Sequence, residues 1–548
     1  MMEMGAMMDQ PLLISSIIRY AARHAATQEV VSHLGSGHMH RYTYAQCERR
    51  ARMLASALER SGLGPGERVG TLAWNSYRHL EIYYAASGMG AVCHTINPRL
   101  HIDQIAYIIN DANDRRIFFD ATFLPLAQAL AERCTAVQEW ILLEDTTAAA
   151  DAAQFKARAY EALAQEGDAN YSWPVFDENA AAGLCYTSGT TGNPKGVLYS
   201  HRSTVLHAYA ASLPNAMAIS VQEVVAPLVP MFHVNAWGLP YTAPMNGAKL
   251  VLPGAQLDGE AIYKLFEAEG VTFSAGVPSV WQGLLAHVHK IGGHFSSFRR
   301  VVIGGSACST SMIADFETFG VTVRHAWGMT EVSPLGTVCM PMPKHRALPQ
   351  ALQVAVAARQ GRALFGIDMR IADDQGKELP WDGKTFGNLE VRGNWVLDSY
   401  FGSDKSALNH GWFGTGDVAT IDADGYLLIT DRSKDVIKSG GEWISSIEIE
   451  NIAMAHPSVF LAACVATAHP KWDERPILVV VKKTGEQIDA AELLQFFQGK
   501  VAKWWLPDAV VFIDEMPLTA TGKMQKRVLR ERYRNYLQSG AAPDVHAK

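Results

Sequence analysis

Short apolar runs alternate with helix-patterned stretches along most of the first 360 residues of this 548-residue chain, and that alternation restricts the fold more than any other feature. Helical spacing covers residues 12–26 and 44–61; a strand-like run follows at 68–74, then a predicted helix at 79–89 and a short strand at 91–95. The pattern returns through 105–120 and 271–276, and the apolar runs 224–229 and 300–305 read as strands buried on both faces. Strand and helix in turn predict an α/β architecture with largely parallel sheets, because parallel neighbours need the long crossovers that helices supply. A chain this long exceeds a single core, and roughly three to four domain-sized units are expected.

After about Gly361 the texture changes to Gly- and Asp-punctuated β signals at 366–372, 387–392 and 425–430. The pairs Asp382-Gly383 and Asp424-Gly425 favour hairpins there, so a smaller β-rich subdomain is expected to end at Thr430. From Asp431 come a charged turn, a predicted helix near 446–455, strands near 462–467 and 477–482, and terminal helices, together the size of an independent α+β domain. The expected division is 1–430, holding two α/β subdomains with parallel sheets and the β-rich subdomain, and 431–548, a small α+β domain.

Net charge is −7, which disfavours bulk nucleic-acid binding because no positive field recruits a phosphate backbone. The seven cysteines are scattered without C-x-x-C spacing and read as reduced, mostly buried thiols in a cytoplasm. His33, His38 and His40 cluster near a Gly-rich turn but have no carboxylate or cysteine spaced to complete a metal site. Residues 1–10 are Met-rich with no basic stretch, unlike a secretory signal, and no apolar run reaches the roughly 18 residues of a membrane span. A cytoplasmic protein is expected.

The stretch richest in chemistry is Tyr186-Thr-Ser-Gly-Thr-Thr-Gly-Asn-Pro-Lys-Gly196, which follows an apolar run and so projects from a strand end, where phosphate sites commonly sit. Its glycines permit positive φ and close backbone approach; Thr187, Ser188, Thr190 and Thr191 add hydroxyls, and Lys195 adds a cation. It is not a Walker loop, which needs Lys directly after its last glycine and then Ser or Thr; here Asn193 and Pro194 intervene and Gly196 follows the lysine.

Six further segments follow in order: Pro230-Met231-Phe232-His233, Gly304-Gly305-Ser306-Ala307, Trp327-Gly328-Met329-Thr330-Glu331, Gly414-Thr415-Gly416-Asp417, Asp431-Arg432-Ser433-Lys434-Asp435 through Gly440-Gly441, and Thr521-Gly522-Lys523. With the Thr/Gly/Lys loop, this set resembles the adenylate-forming superfamily of acyl-CoA synthetases, firefly-type luciferases and peptide-synthetase adenylation domains. Within it, the wording Met231-Phe-His-Val-Asn-Ala-Trp237-Gly, Lys438-Ser-Gly-Gly-Glu-Trp443 and His469-Pro-Lys-Trp-Asp-Glu-Arg-Pro476 is most similar to medium- and long-chain fatty-acyl-CoA synthetases and the related 3-(methylthio)propionyl-CoA ligases. The resemblance implies a two-step reaction: carboxylate and ATP give acyl-adenylate and pyrophosphate, then the CoA thiol displaces AMP. Such chemistry needs positioning and charge neutralisation and no nucleophilic side chain.

Residue by residue, the resemblance implies that Thr187, Ser188, Gly189, Thr190, Thr191, Gly192 and Lys195 cradle ATP phosphates, with Glu331 and Thr187 as the Mg²⁺ site. Trp327 would pack on adenine, with Gly305, His325, Ala326 and Thr330 lining its pocket. Asp417 would accept from the ribose hydroxyls, a role suited to an acceptor-only carboxylate, and Arg432 would join the nucleotide site. Lys523 would stabilise charge at the α-phosphate; Lys434 would be the hinge of a mobile C-terminal domain; Lys438 and Trp443 would contact nucleotide or the pantetheine tunnel. His233, Trp237, Gly276, Val277, Gly304 and Gly305 would surround the acyl group, His233 also acting in catalysis, and the resemblance implies a homodimer.

Three other readings differ in testable ways. A luciferase-like monooxygenase would consume oxygen, a non-catalytic nucleotide-binding module would lack Glu331, Asp417 or Lys523, and a peptide-synthetase domain would call for a downstream carrier and a pocket aspartate. The expectation is that this chain ends too early for the carrier. The acid itself stays open between medium-chain fatty acids and 3-(methylthio)propionate, because one methylene shifts discrimination by only about 1–3 kcal/mol.

Overall fold

A computed structural model describes residues 3, 5–34, 38–145, 150–187, 193–432, 435–439, 442–518 and 524–538. The first sheet runs in the order Arg158–Ala159, Glu139–Leu142, Arg116–Phe119, Arg68–Leu72, Val92–Thr95, Ala181–Tyr186, Gly196–Ser200, and every pair is parallel except the last. Val92–Thr95 and Arg116–Phe119 are buried along their whole length, the signature of parallel strands covered by helices on both faces. The second sheet keeps Thr322–Gly328, Arg300–Ile303, Phe273–Gly276, Val224–Pro227, Lys249–Leu252 and Glu29–His33 parallel at its centre. Antiparallel strands close both of its edges, Met39–Thr43 at one and Leu335–Val338 with Arg362–Ala363 at the other. The alternation read from the sequence thus becomes two parallel-centred sheets. His33 and His40 stand on the edge hairpin, a pair of strands that the sequence reading did not draw.

Helix Tyr77–Gly88 explains how the two sheets are held together. All twelve of its residues are buried, so it presents no solvent face, as expected of a helix packed on every side. Tyr84 donates to the Pro240 carbonyl at 2.7 Å. Just before the helix, Asn75 donates to the carbonyls of Pro227 and Val229, both at 2.9 Å, and accepts from the Met231 amide at 2.6 Å. A first-sheet element therefore fixes the segment leading to His233.

The β-rich part is an antiparallel sheet of Ile367–Ala372, Gly387–Gly393, Trp412–Ile421, Leu408–Asn409 and Leu427–Arg432. Asp424-Gly425 closes a tight hairpin with Gly425 at φ +82°. Asp382-Gly383 differs: it sits within a long arm between Ile367–Ala372 and Gly387–Gly393. Asp382 accepts from the Lys384 and Thr385 amides at 2.8 and 2.7 Å. Those backbone donors stabilise the ionised carboxylate and pull its pKa down to about 2.

In the C-terminal part, Val459–His469 and Asp473–Lys482 form a long hairpin, flanked by Ala509–Phe512 and the short pair Ile437–Ser439 and Glu442–Ile444. Helix Ser446–Met454 packs on it, with its own apolar cluster around Ile449, Leu478 and Phe497. All seven cysteines are buried free thiols, and among the described residues no helix is long and apolar enough to cross a membrane.

Candidate active site

The Thr/Gly/Lys loop is the turn of an antiparallel hairpin, since Tyr186 ends one strand and pairs in register with Gly196, which opens the next. Its neck is closed from both sides: the Thr187 amide donates to the Lys195 carbonyl at 2.9 Å, and the Lys195 amide donates to Thr187 Oγ1 at 3.3 Å. Ser188, Gly189, Thr190, Thr191 and Gly192 lie outside the described residues, as do Lys434 and Lys523.

A residue absent from the sequence reading links this loop to the predicted metal carboxylate. The Tyr400 ring lies 4.7 Å beneath Lys195 Nζ, and its hydroxyl donates to Glu331 Oε1 at 3.0 Å. Burial and then the neighbouring Glu331 charge hold the Tyr400 phenol well above its usual pKa, so it stays a donor. The backbone around it makes two further ties: the Leu397 amide donates to the Glu331 carbonyl and the Phe401 amide to the Gly196 carbonyl, both at 2.8 Å. Tyr400 falls in an irregular stretch with no periodicity or glycine pattern of its own, and only its tertiary neighbours reveal it.

A second group joins three residues scattered over more than one hundred positions. Asp417 and Arg432 face each other in register on adjacent strands. Asp417, 2% exposed, accepts from Trp327 Nε1 at 2.9 Å through one oxygen and from Arg432 Nε at 2.8 Å through the other. Gly336, also absent from the sequence reading, explains how close the Trp327 ring lies: a Cβ there would sit 2.4 Å from it. His325 is buried two residues before Trp327, its Nδ1 2.7 Å from the Ala358 carbonyl, and burial lowers its pKa so the ring is neutral. Thr330 opens the short turn that carries Glu331, and the Tyr199 hydroxyl donates to its carbonyl at 2.7 Å.

The predicted acyl residues fall into two sets. Gly304 and Gly305 follow strand Arg300–Ile303, Gly305 at φ +80°; a Cβ on Gly304 would lie 3.2 Å from the Trp237 ring and 2.9 Å from the Ala326 carbonyl. Trp237, Gly304 and the Trp327 strand therefore converge. His233 and Tyr186 line one small recess with Asn97, Leu100 and Phe232. Gly276 differs in orientation, because a Cβ there would press on Trp281, 3.0 Å away in the sheet–helix core, and Val277 caps the helix that carries Trp281. Lys438 and Trp443 pair across the short hairpin of the C-terminal sheet, and the Lys438 amide donates to Glu474 at 2.8 Å.

Val234, Asn235, Ala236 and Trp237 are consecutively left-handed, with φ of +46°, +51°, +48° and +55°, before Gly238 at +78°. Left-handed backbone costs about 1–2 kcal/mol per residue other than glycine, and a β-branched valine there is exceptional. Fully buried Tyr83 holds this turn: its hydroxyl is shared between the Met231 carbonyl and Asn235 Oδ1. The Cys185 thiol also reaches Asn235 Oδ1, at 3.6 Å.

A hairpin loop rich in Thr, Gly and Lys tied to a buried carboxylate, beside an indole anchored on a second carboxylate, is the arrangement expected of a nucleotide-activating α/β enzyme with a smaller C-terminal domain. Comparison with known proteins agrees: the AMP-binding enzyme family matches residues 18–401 and the AMP-binding enzyme C-terminal domain matches 448–523. The chain belongs to the AMP-binding enzyme family. It is 56% identical over 540 residues to 3-methylmercaptopropionyl-CoA ligase of Ruegeria lacuscaerulensis, covering 97% of this chain and 99% of that one. It is 51% identical over 536 residues to a medium-chain-fatty-acid–CoA ligase of Ectopseudomonas oleovorans, covering 97% and 98%. Among solved structures, anthranilate CoA ligase in complex with anthranoyl-AMP superposes with a TM-score of 0.86 at 22% identity, covering 97% of this chain and 99% of that one, a likeness of fold.

Proposed function

We propose that this chain is an ATP-dependent, AMP-forming acyl-CoA ligase acting on a medium-chain fatty acid or a similar short apolar carboxylate. The observation that carries the reading is the pair of ties Lys195–Tyr400–Glu331 and Trp327–Asp417–Arg432, which support a phosphate end and a nucleoside end of one ATP site. The identities of 56% and 51% to a 3-methylmercaptopropionyl-CoA ligase and a medium-chain-fatty-acid–CoA ligase support both acids, and 3-(methylthio)propionate is the second reading.

In this reading the protein does three things. It aligns the carboxylate with the α-phosphate, neutralises charge as pyrophosphate leaves, and shields the mixed anhydride from water until the thiol arrives. Lys195 and the loop hydroxyls hold the β- and γ-phosphates, and Lys523 offsets charge gathering at the α-phosphate. Trp327, His325, Ala326, Gly305 and Thr330 form the adenine pocket; Asp417 receives the ribose hydroxyls. Trp237, His233 and Gly304 wall the acyl group, with Gly276 and Val277 behind.

Glu331 and Thr187 fit Mg²⁺: one buried carboxylate oriented by Tyr400 and one hydroxyl at the loop neck suit an ion that takes most of its ligands from phosphate oxygens and water. Bound there, Mg²⁺ would neutralise phosphate charge. Among the described residues no group of three His, Cys, Asp or Glu side chains is gathered, and this arrangement needs none.

We place the domain division at 1–430 and 431–548, with a cytoplasmic homodimer as the assembly that the family resemblance favours; light scattering of the purified protein decides the latter. Pyrophosphate release measured over straight-chain C2–C14 acids and 3-(methylthio)propionate, with CoA present, tests the function. Acid-dependent release of pyrophosphate and AMP is expected. Formation of ADP, or no dependence on any acid, overturns it.

A further inference from the structure

The left-handed residues Val234, Ala236 and Trp237 are buried in the main core, and burial by itself asks for no particular backbone handedness. The consequence of the left-handed run is local and specific. It turns the chain so sharply after His233 that Trp237 is carried against Gly304, with the indole edge 3.2 Å from where a Cβ would stand. A right-handed turn would send the same side chain elsewhere. The side chains that hold the turn are remote in sequence and come from the first sheet: Tyr83 from the all-buried helix, and Cys185 from the strand that feeds the phosphate loop. On its far side, Gly238 abuts His207: a Cβ there would lie 2.7 Å from the imidazole ring.

We infer that Tyr83 and Asn235 are positioning residues that set acid chain-length preference, by clamping the left-handed turn and so fixing how far the Trp237 indole reaches over Gly304. This rests on the reading that Trp237 and Gly304 wall the acyl group. Two features make Asn235 the centre of the device. Asparagine tolerates left-handed backbone better than the valine, alanine and tryptophan around it, and its side-chain oxygen is the acceptor that Tyr83 and Cys185 reach. Removing the clamp leaves three strained residues free to relax, and the indole moves with them. Nucleotide binding, carried by Trp327, Asp417 and the phosphate loop, is untouched.

The test is the ratio of kcat/KM for decanoate over butanoate, measured in wild type, Tyr83→Phe, Asn235→Ala, Asn235→Gly and Trp237→Ala, with KM for ATP and thermal stability followed in each. Tyr83→Phe and Asn235→Ala are expected to change the ratio at least about fivefold in the same direction as Trp237→Ala, within the range that one methylene decides in a pocket. KM for ATP should stay within about twofold. Asn235→Gly lacks the same acceptor and is expected to shift the ratio in the same direction but by less than Asn235→Ala, because glycine alone adopts the left-handed conformation without steric cost. A wild-type ratio in both Tyr83→Phe and Asn235→Ala, with Trp237→Ala shifted, overturns the clamp and leaves the acyl wall standing. Equal shifts in the alanine and glycine variants overturn the backbone part of the inference. An unchanged ratio in Trp237→Ala overturns the acyl-wall reading itself and the clamp with it. Tyr83→Phe keeps the ring that fills the core, so it decides the matter even where the Asn235 variants fold poorly.

Discussion

At the scale of single residues, Asp417 carries more than the sequence suggested. A carboxylate has about four acceptor sites, so it can hold the Trp327 indole and Arg432 and still accept from a ribose. Asp417→Ala removes those contacts together and releases the indole from its anchor. A loss of about 10–100-fold in kcat/KM for ATP is expected from losing charge-assisted hydrogen bonds worth about 1.5–3 kcal/mol. Steady-state kinetics with ATP varied checks it, and a change confined to the acid's KM would contradict it. Lys523 makes a different kind of claim, because the proposed function gives it a part in one half-reaction only. Lys523→Ala should slow acyl-adenylate formation by about 10²–10³-fold while leaving thiol attack on supplied acyl-adenylate largely intact. Equal losses in both half-reactions would remove Lys523 from that role.

At the scale of elements, helix His201–Ser212 ties together parts of the chain far apart in sequence through two neutral histidines. His201 Nδ1 accepts from the Ile14 amide at 3.1 Å, which caps helix Ile14–His24; His207 Nε2 accepts from the Leu335 amide at 3.2 Å, on the strand beside Trp327. Burial pushes both rings from 6.5 down to about 4. Between those pH values the unfolded chain takes up protons that the folded chain refuses. The stability is therefore fully present above about pH 6.5 and is lost as pH falls toward 4. Each ring contributes a loss of about 1.4 kcal/mol per pH unit, near 2 kcal/mol by pH 5. The melting temperature should fall accordingly between pH 7 and 5. His207→Gln keeps an acceptor for Leu335 without a titrating ring and should flatten the slope; an identical slope would show that His207 does not set it.

At the scale of the whole molecule, the C-terminal part holds a buried polar cluster where it meets the β-rich sheet. Lys526 contacts Glu450 at 2.7 Å and Ser446 Oγ at 2.5 Å, while Asp431, at the end of the β-rich sheet, accepts from the Ser446 amide at 2.8 Å. Burial alone would lower the Lys526 pKa, but Glu450 and Asp431 together hold it up, so its ammonium stays charged. Lys526→Met strands two buried carboxylates at a cost of about 3–5 kcal/mol, and the double change with Glu450→Gln should recover part of that loss. Calorimetry reads both; a single variant as stable as wild type would show the pair to be idle. The proposed function assigns the exchange between half-reactions to Lys434. Lys434→Pro should block thioester formation while sparing pyrophosphate release, because proline fixes the φ that a hinge must change. Unchanged overall turnover would refute the hinge.

Much of the fold was legible because the signals were local: apolar runs at 91–95 and 300–305 became buried parallel strands, and glycine-punctuated segments after 361 became an antiparallel sheet. Asp382-Gly383 lies in the connection of an antiparallel hairpin as expected, but as an Asx-type turn within a long loop, because that turn and a tight hairpin share the same dipeptide. The family was legible through motifs in a fixed order, since nucleotide chemistry demands particular residue types at close spacing. Tyr400 and Tyr83 were not, because each matters through a partner tens to hundreds of positions away, nor was Gly336, whose role appears only when the paired strands bring it against Trp327. What the sequence by itself determined was the α/β class and, through motifs in a fixed order, the family. Only the tertiary structure decided which side chains meet, because registers, buried hydrogen bonds and left-handed backbone arise from packing between elements and leave no mark in local spacing.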